Sequence, residues 1–211
     1  MDGQLKVAVI YYSATGITYQ MAQSACEAAG EAGAEVRLRK VRELAPEEAI
    51  RSNSGWQQHH LETQDVPEAQ LDDLSWADVV IFGSPTRYGM VAAQLKQFID
   101  TTGPLWAQGA LANKVYSGFC STATSHGGQE STLLALFNVF YHWGGVVVTP
   151  GYTDPSQFVA GNPYGASHTS NNGEVAPDHI ALAATALTAT RAVRIGKALK
   201  QGLTAELAAA R

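Results

Sequence analysis

Basic residues are scarce. The 211-residue chain has 14 lysines and arginines against 19 aspartates and glutamates, a formal net charge of −5. No local basic run offsets that balance, so the chain is a poor match for nucleic acid, whose phosphates demand a basic patch. Cysteine is scarcer still. Cys26 and Cys120 form neither a disulfide framework nor a metal spacing. They read as packing residues in a cytoplasmic chain with reduced thiols. No apolar stretch is long enough to cross a bilayer. The N-terminus lacks a secretory pattern, because Leu5 to Tyr12 already reads as a strand. Missing too are Gly-x-x-x-x-Gly-Lys-[Ser/Thr], which disfavours a P-loop nucleotide triphosphatase, and Gly-x-Gly-x-x-Gly, the usual dinucleotide fingerprint. No Gly-x-Ser-x-Gly elbow accompanies Ser121 and His142, which argues against a serine hydrolase. The other histidines, His59, His60, His126, His168 and His179, share no metal-ligand spacing.

What is present is a globular composition, 45% hydrophobic and 16% charged, suited to one α/β domain over 1–211. Strand runs alternate with helical segments. Strands are expected at Lys6–Tyr12, Glu35–Arg39, Ala77–Phe82, Val115–Cys120 and Val146–Thr149. Helices are expected at Gly16–Ala32, along the face Val91, Leu95, Phe98, Ile99 and Thr102, at Gln129–Trp143, and from about His179 to Leu203. This alternation predicts a doubly wound, five-stranded parallel sheet in the order 2-1-3-4-5 with helices on both faces. Two segments depart from it. Residues 41–75 read as a polar insertion with short helical stretches at most. Residues 150–178 read as a long loop rich in Gly, Pro, Asn and Ser, whose Tyr152, Phe158 and Tyr164 argue for packing rather than disorder.

Three strand-to-helix loops carry the chemistry. Ser13-Ala14-Thr15-Gly16-Ile17-Thr18 opens the first helix, where free N–H groups and hydroxyls suit a monophosphate; an ordinary helix cap is the plainer alternative. Phe82-Gly-Ser-Pro-Thr-Arg-Tyr-Gly89 follows the third strand. Its Tyr88 offers a ring to stack on a flat ligand and its Arg87 a cation for the polar edge of a pyrimidine-like ring or for a reduced, anionic flavin; a turn with a chance aromatic is the plainer alternative. Cys120-Ser-Thr-Ala-Thr-Ser-His-Gly-Gly-Gln129 offers backbone N–H groups and little bulk. An open α/β sheet brings all three to one rim, where ligands bind.

With these loops placed, the chain resembles the WrbA-type NAD(P)H:quinone oxidoreductases of the flavodoxin-like superfamily over nearly its whole length. The likeness rests on Tyr12-Ser13 with Gly16, Phe82–Gly89, Gly103-Pro-Leu-Trp-Ala-Gln-Gly-Ala-Leu111, Gly127-Gly-Gln-Glu130 and Asn162-Pro-Tyr-Gly-Ala166. The resemblance implies FMN held by Ser13, Ala14, Thr15, Gly16, Ile17 and Thr18, by Pro85, Thr86, Arg87 and Tyr88, and by Ser121, Thr122, Ala123, Thr124, Ser125 and Gly127. It also implies that His142 reaches the flavin and that Trp106 and Tyr164 border the substrate. No metal is implied. NADH or NADPH is the implied donor and a quinone the acceptor, with hydride passing through flavin N5 in a ping-pong cycle. The implied assembly is a homotetramer whose active sites neighbouring subunits complete. The first loop departs from the family by carrying no aromatic at Thr15. A non-enzymatic flavodoxin-type carrier is the alternative. A receiver-type regulator would need acidic residues where Ser13 and Ser84 stand.

Overall fold

A computed structural model describes residues 4–209. Its elements, in chain order, are β1 (Lys6–Tyr11), α1 (Ile17–Glu31), β2 (Glu35–Lys40), α2 (Glu47–Arg51), α3 (Ser54–Glu62), α4 (Leu71–Trp76), β3 (Val79–Arg87) and β4 (Met90–Val91). They continue with α5 (Ala93–Asp100), α6 (Gly103–Ala107), β5 (Val115–Thr122), α7 (Gln129–His142), β6 (Val146–Val147), α8 (Gln157–Ala160), β7 (Ala166–Thr169) and α9 (His179–Ala209). The main sheet runs β2-β1-β3-β5-β6, all parallel, which is the expected 2-1-3-4-5 order.

Alternation along the strands explains why both faces are buried. On one side Ala8, Ile10, Val80, Phe82, Tyr116 and Cys120 pack against Leu95 and Phe98 of α5 and Leu133, Phe137 and Phe140 of α7. On the other, Val7, Val9, Val79, Ile81, Val115 and Phe119 pack against Met21, Ala22 and Ala25 of α1 and Ala192 and Val193 of α9. The alanines let α1 and α9 approach the sheet and each other closely. Burial pushes the Cys26 thiol up to about 12 and raises that of Cys120 as well, so both thiols stay protonated packing groups. Among the described residues no helix is long and apolar enough to cross a membrane.

Three expectations need correction. The third strand does not stop at Phe82 but runs to Arg87, so Pro85, Thr86 and Arg87 lie on a strand rather than in a loop. It turns back through Tyr88 and Gly89, both at positive φ (53° and 79°), into β4, the geometry of a tight hairpin turn. Pro85 is tolerated because β1 pairs with β3 only as far as Gly83. The fifth strand is only Val146–Val147 long. The remaining edge of β5 is covered by β7, with Phe119 to Thr122 opposite Ala166 to Thr169. The segment 150–178 is therefore an excursion that carries α8 and returns as a strand, and the described sheet has seven strands instead of five. The insertion 41–75 does hold short helices, α2 to α4, and the closing helix extends to Ala209.

Gly83 sits where β1, β3 and β5 run side by side below the rim. A Cβ there would lie 2.3 Å from the Phe119 ring. Gly83→Ala is expected to cost about 1–3 kcal/mol through overpacking and to lower the thermal midpoint by several degrees. An unchanged midpoint would mean that Phe119 does not fill this space.

Candidate functional site

A cavity of about 290 Å³ opens at the carboxyl ends of β1, β3 and β5, at the switch point where the chain order reverses between β1 and β3. Its floor is Ser13, Ala14, Thr15, Ile17 and Thr18 from the first loop. One side is Pro85, Thr86 and Arg87 of β3, and another is Ser121, Thr122 and Ala123. Eleven residues expected at the ligand thus line a single cavity. Among the described residues no acidic side chain lines it and Arg87 is the cation that does, so the site tolerates an anion.

Helix α1 starts on Gly16 at φ 88°, a left-handed conformation suited to glycine, with no side-chain cap and no acidic residue in the first turn. Gln20 N–H donates to the Gly16 carbonyl at 3.0 Å. The N–H groups of Ile17, Thr18 and Tyr19 have no acceptor among the described residues. Beside them the Ser13 hydroxyl is buried without a partner. An unmade hydrogen bond of this kind destabilises a fold by about 1–3 kcal/mol, and a phosphate oxygen is the group that fits. Thr18 Oγ1 is 3.1 Å from Ser121 Oγ, which fastens the first loop to the third.

The remaining expected residues do not line this cavity. Tyr88 is fully exposed at the hairpin tip. Gly127 packs on Thr122 and the Thr124 carbonyl, and Ser125 faces a separate cavity with Gln129 and Ser167. Tyr164 is half-exposed, its N–H donating to Asn162 Oδ1 at 3.1 Å. His142 ends α7, and Trp106 Nε1 donates to the His142 carbonyl at 3.0 Å. Helix α7 starts at the rim and runs 14 residues back along the sheet, so this pair lies about 20 Å away, at the opposite strand ends.

Five lining residues escaped the sequence reading: Asn53 and Trp56 from the insertion, and Ser170, Asn172 and Gly173 from the long excursion. Residues 171–173 are all left-handed (φ 46°, 59° and 93°). Gly173 lies so near Thr15 that a Cβ would meet its hydroxyl at 2.5 Å. The Asn-Asn-Gly run was the available signal, since these residues tolerate that conformation best. His59 of α3 is buried against the same loop. Its ring packs on Tyr19 at 5.4 Å, and a Cβ on Gly16 would lie 3.4 Å from its Nδ1.

The model of the NADPH-dependent FMN reductase family matches residues 5–158. A protein of Deinococcus radiodurans named NAD(P)H dehydrogenase (quinone) is 49% identical over 172 residues, 81% of this chain and 86% of that protein. One of the same name from Sinorhizobium fredii is 44% identical over 200 residues, 92% of this chain and 98% of that protein. Among solved structures, the flavodoxin, WrbA-like protein from Agrobacterium tumefaciens superposes with a TM-score of 0.65 at 24% identity, covering 92% of this chain and 98% of that one. That likeness shows the flavodoxin-like fold.

Burial pushes the His59 imidazole down to about 4, with Lys40 and His60 adding to the effect and Glu62 opposing it. The unfolded chain binds this proton more readily, near the ordinary 6.5, so stability is intact above pH 6.5 and falls as pH drops towards 4. The loss amounts to about 3 kcal/mol at most. The urea midpoint is expected to fall between pH 7 and pH 5, and to fall less in His59→Gln. An equal fall in both proteins would assign the acid lability elsewhere.

Proposed function

This chain belongs to the NADPH-dependent FMN reductase family, and on that premise we propose that its pocket holds FMN and passes two electrons from NADH or NADPH to a quinone. The observation that carries this reading is the buried, unpartnered Ser13 hydroxyl beside the uncapped start of α1. The described fold acts as one FMN-binding unit, with the insertion and the long excursion serving it. When bound, FMN supplies a two-electron carrier, so donor and acceptor need never be present together.

The chain's own part is binding, orientation and charge. Ser13, Thr15 and Thr18, with the first N–H groups of α1, hold the phosphate. Pro85 and Thr86 on β3, with Ser121 to Ala123, border the ring system, and Arg87 favours its reduced, anionic form. Tyr88, Thr124, Ser125 and Gly127 belong to the two ring-side turns and complete their contacts on loading. The access slot is shared by donor and quinone, hence ping-pong kinetics.

His142 and Trp106 enter this reading through a second copy. They cannot reach their own pocket, yet Trp106 is 59% exposed and Tyr141 beside them 61%. Tyr141 and Leu134 stand seven residues apart on one face of α7, and Met90 and Tyr88 are exposed near its other end. A two-fold pairing along this stripe carries one copy's Trp106 and His142 towards the other's hairpin, and repeating it through a second surface yields a homotetramer. Tyr164 lines the approach used by the quinone. A cytoplasmic location accords with two free cysteines.

Anaerobic NADH or NADPH is expected to bleach the yellow holoprotein, and added quinone to restore it. A flavodoxin-type carrier would keep its colour. Double-reciprocal plots with both substrates varied should be parallel; intersecting lines would remove the shared slot. Ser13→Ala is expected to weaken FMN binding about tenfold, by loss of one hydrogen bond to a charged group, read by quenching of flavin fluorescence. Unchanged affinity would detach Ser13 from the phosphate. Trp106→Ala is expected to lower quinone turnover while FMN occupancy stays full, and equal turnover would leave Trp106 a packing residue.

A further inference from the structure

We propose that Trp56 is the aromatic wall on which this pocket seats a planar heteroaromatic ring of its nucleotide, and that Glu43 is the positioning residue that holds the indole in place. The proposal rests on the nucleotide reading above and names the side chain that selects for a flat ring.

Among the described residues lining the cavity, Trp56 is the aromatic one; the rest are small, hydroxylic, amide, aliphatic or guanidinium side chains. A ring system enclosed by such groups finds its best apolar contact on an indole face. The residue is also fixed at both ends. Its backbone N–H donates to Asn53 Oδ1 at 3.0 Å, the cap of α3. Its indole Nε1 donates to Glu43 Oε2 at 3.1 Å.

Glu43 is a saturated acceptor. Its Oε2 also receives the Tyr12 hydroxyl at 2.9 Å. Its Oε1 receives Gln94 Nε2 at 2.7 Å and the N–H groups of Leu44 and Ala45 at 2.8 and 3.0 Å. Five donors exhaust the carboxylate's capacity. They come from the end of β1, the exit of β2, helix α5 and helix α3, so one side chain ties the insertion to the rim. Burial alone would raise the Glu43 pKa, but the hydrogen bonds from Ala45, Gln94, Tyr12 and Leu44 outweigh it and hold the group below its ordinary value, so the acceptor stays charged at neutral pH. With the indole's polar edge engaged, the part-buried side chain borders the cavity through its apolar surface. Gly55 lies beside Thr15, where a Cβ would meet Thr15 Cγ2 at 3.9 Å, so α3 adjoins the first loop at one side of the same cavity.

The seated ring is either the isoalloxazine of FMN or the nicotinamide of the donor, and the experiment separates the two. Apoprotein is titrated with FMN, and the loaded enzyme is assayed for its donor KM, in wild type, Trp56→Ala, Trp56→Phe and Glu43→Gln. Trp56→Ala is expected to raise one of the two constants about tenfold, the loss of one stacking partner. A raised FMN Kd assigns the wall to isoalloxazine; a change confined to donor KM assigns it to nicotinamide. Trp56→Phe, which keeps a ring, is expected to stay within about threefold of wild type. Glu43→Gln turns an amide towards incoming donors, and is expected to move the same constant as Trp56→Ala although the indole is intact. Indole emission should be quenched by FMN more in wild type than in Trp56→Phe. Both constants unchanged in Trp56→Ala would overturn the proposal. Wild-type constants in Glu43→Gln would overturn the role of Glu43. If Glu43→Gln lacks a native circular dichroism spectrum, the two Trp56 variants decide alone. Wild-type apoprotein that takes up no FMN would remove the nucleotide reading itself, a result distinct from the failure of Trp56 alone.

Discussion

The first turn of α1 is left without a cap, and the rest of the site is arranged around that omission. Ser or Thr at a helix start ordinarily folds back to satisfy the first N–H groups. Here Gly16 holds the cap position in a left-handed conformation that gives no side chain to the task. Ser13 stands three residues earlier with its hydroxyl buried and unpaired. A folded chain tolerates such a defect where a ligand repairs it, and repair shows as stability that depends on ligand concentration. The neighbours keep the defect open: Thr18 is engaged with Ser121, and His59 covers Gly16 from behind.

Much of the sheet was legible because both its faces are buried. The strands read as near-continuous apolar runs, and parallel pairing followed from alternation with helices. The position of the cavity was suggested for a related reason: hydroxyls and glycines are enriched at three strand ends, and residues from all three line it. The limits of β3 were not legible. Ser84, Pro85 and Thr86 carry turn-forming character, and only pairing with β5 on one side and β4 on the other extends them. Likewise β7 hides in a Gly- and Asn-rich segment, and its strand character comes from the exposed edge of β5 rather than from local propensity.

The cavity's far wall was illegible for a different reason. Nothing local marks Asn53 or Trp56, since a Trp in a short polar helix reads as packing. Trp56 is held by Glu43, which gathers donors as distant as Gln94, and Asn53 caps the helix that carries it. A hub of that kind is a property of the folded chain alone, because its members share no spacing in sequence. Asn172 and Gly173 are similar: their turn character was visible, but their meeting with Thr15 required the whole of β7 to be placed.

Trp106 and His142 set the residue-level likeness against the geometry of the single chain. The resemblance implies a Trp106 beside the flavin, whereas α7 carries its partner His142 away from the rim for its full length. The two statements conflict only if the functional unit is one copy. Between these points Leu134 and Tyr141, a large aliphatic and a large aromatic side chain, are exposed on one helix face, the kind of surface that marks an interaction site when it is contiguous. In the assembly we propose, a second copy would account for both features at once, covering the stripe and supplying the distant pair. On that proposal the residues for the phosphate come from one chain and those beside the substrate from two, so cofactor retention and turnover would depend on different levels of assembly.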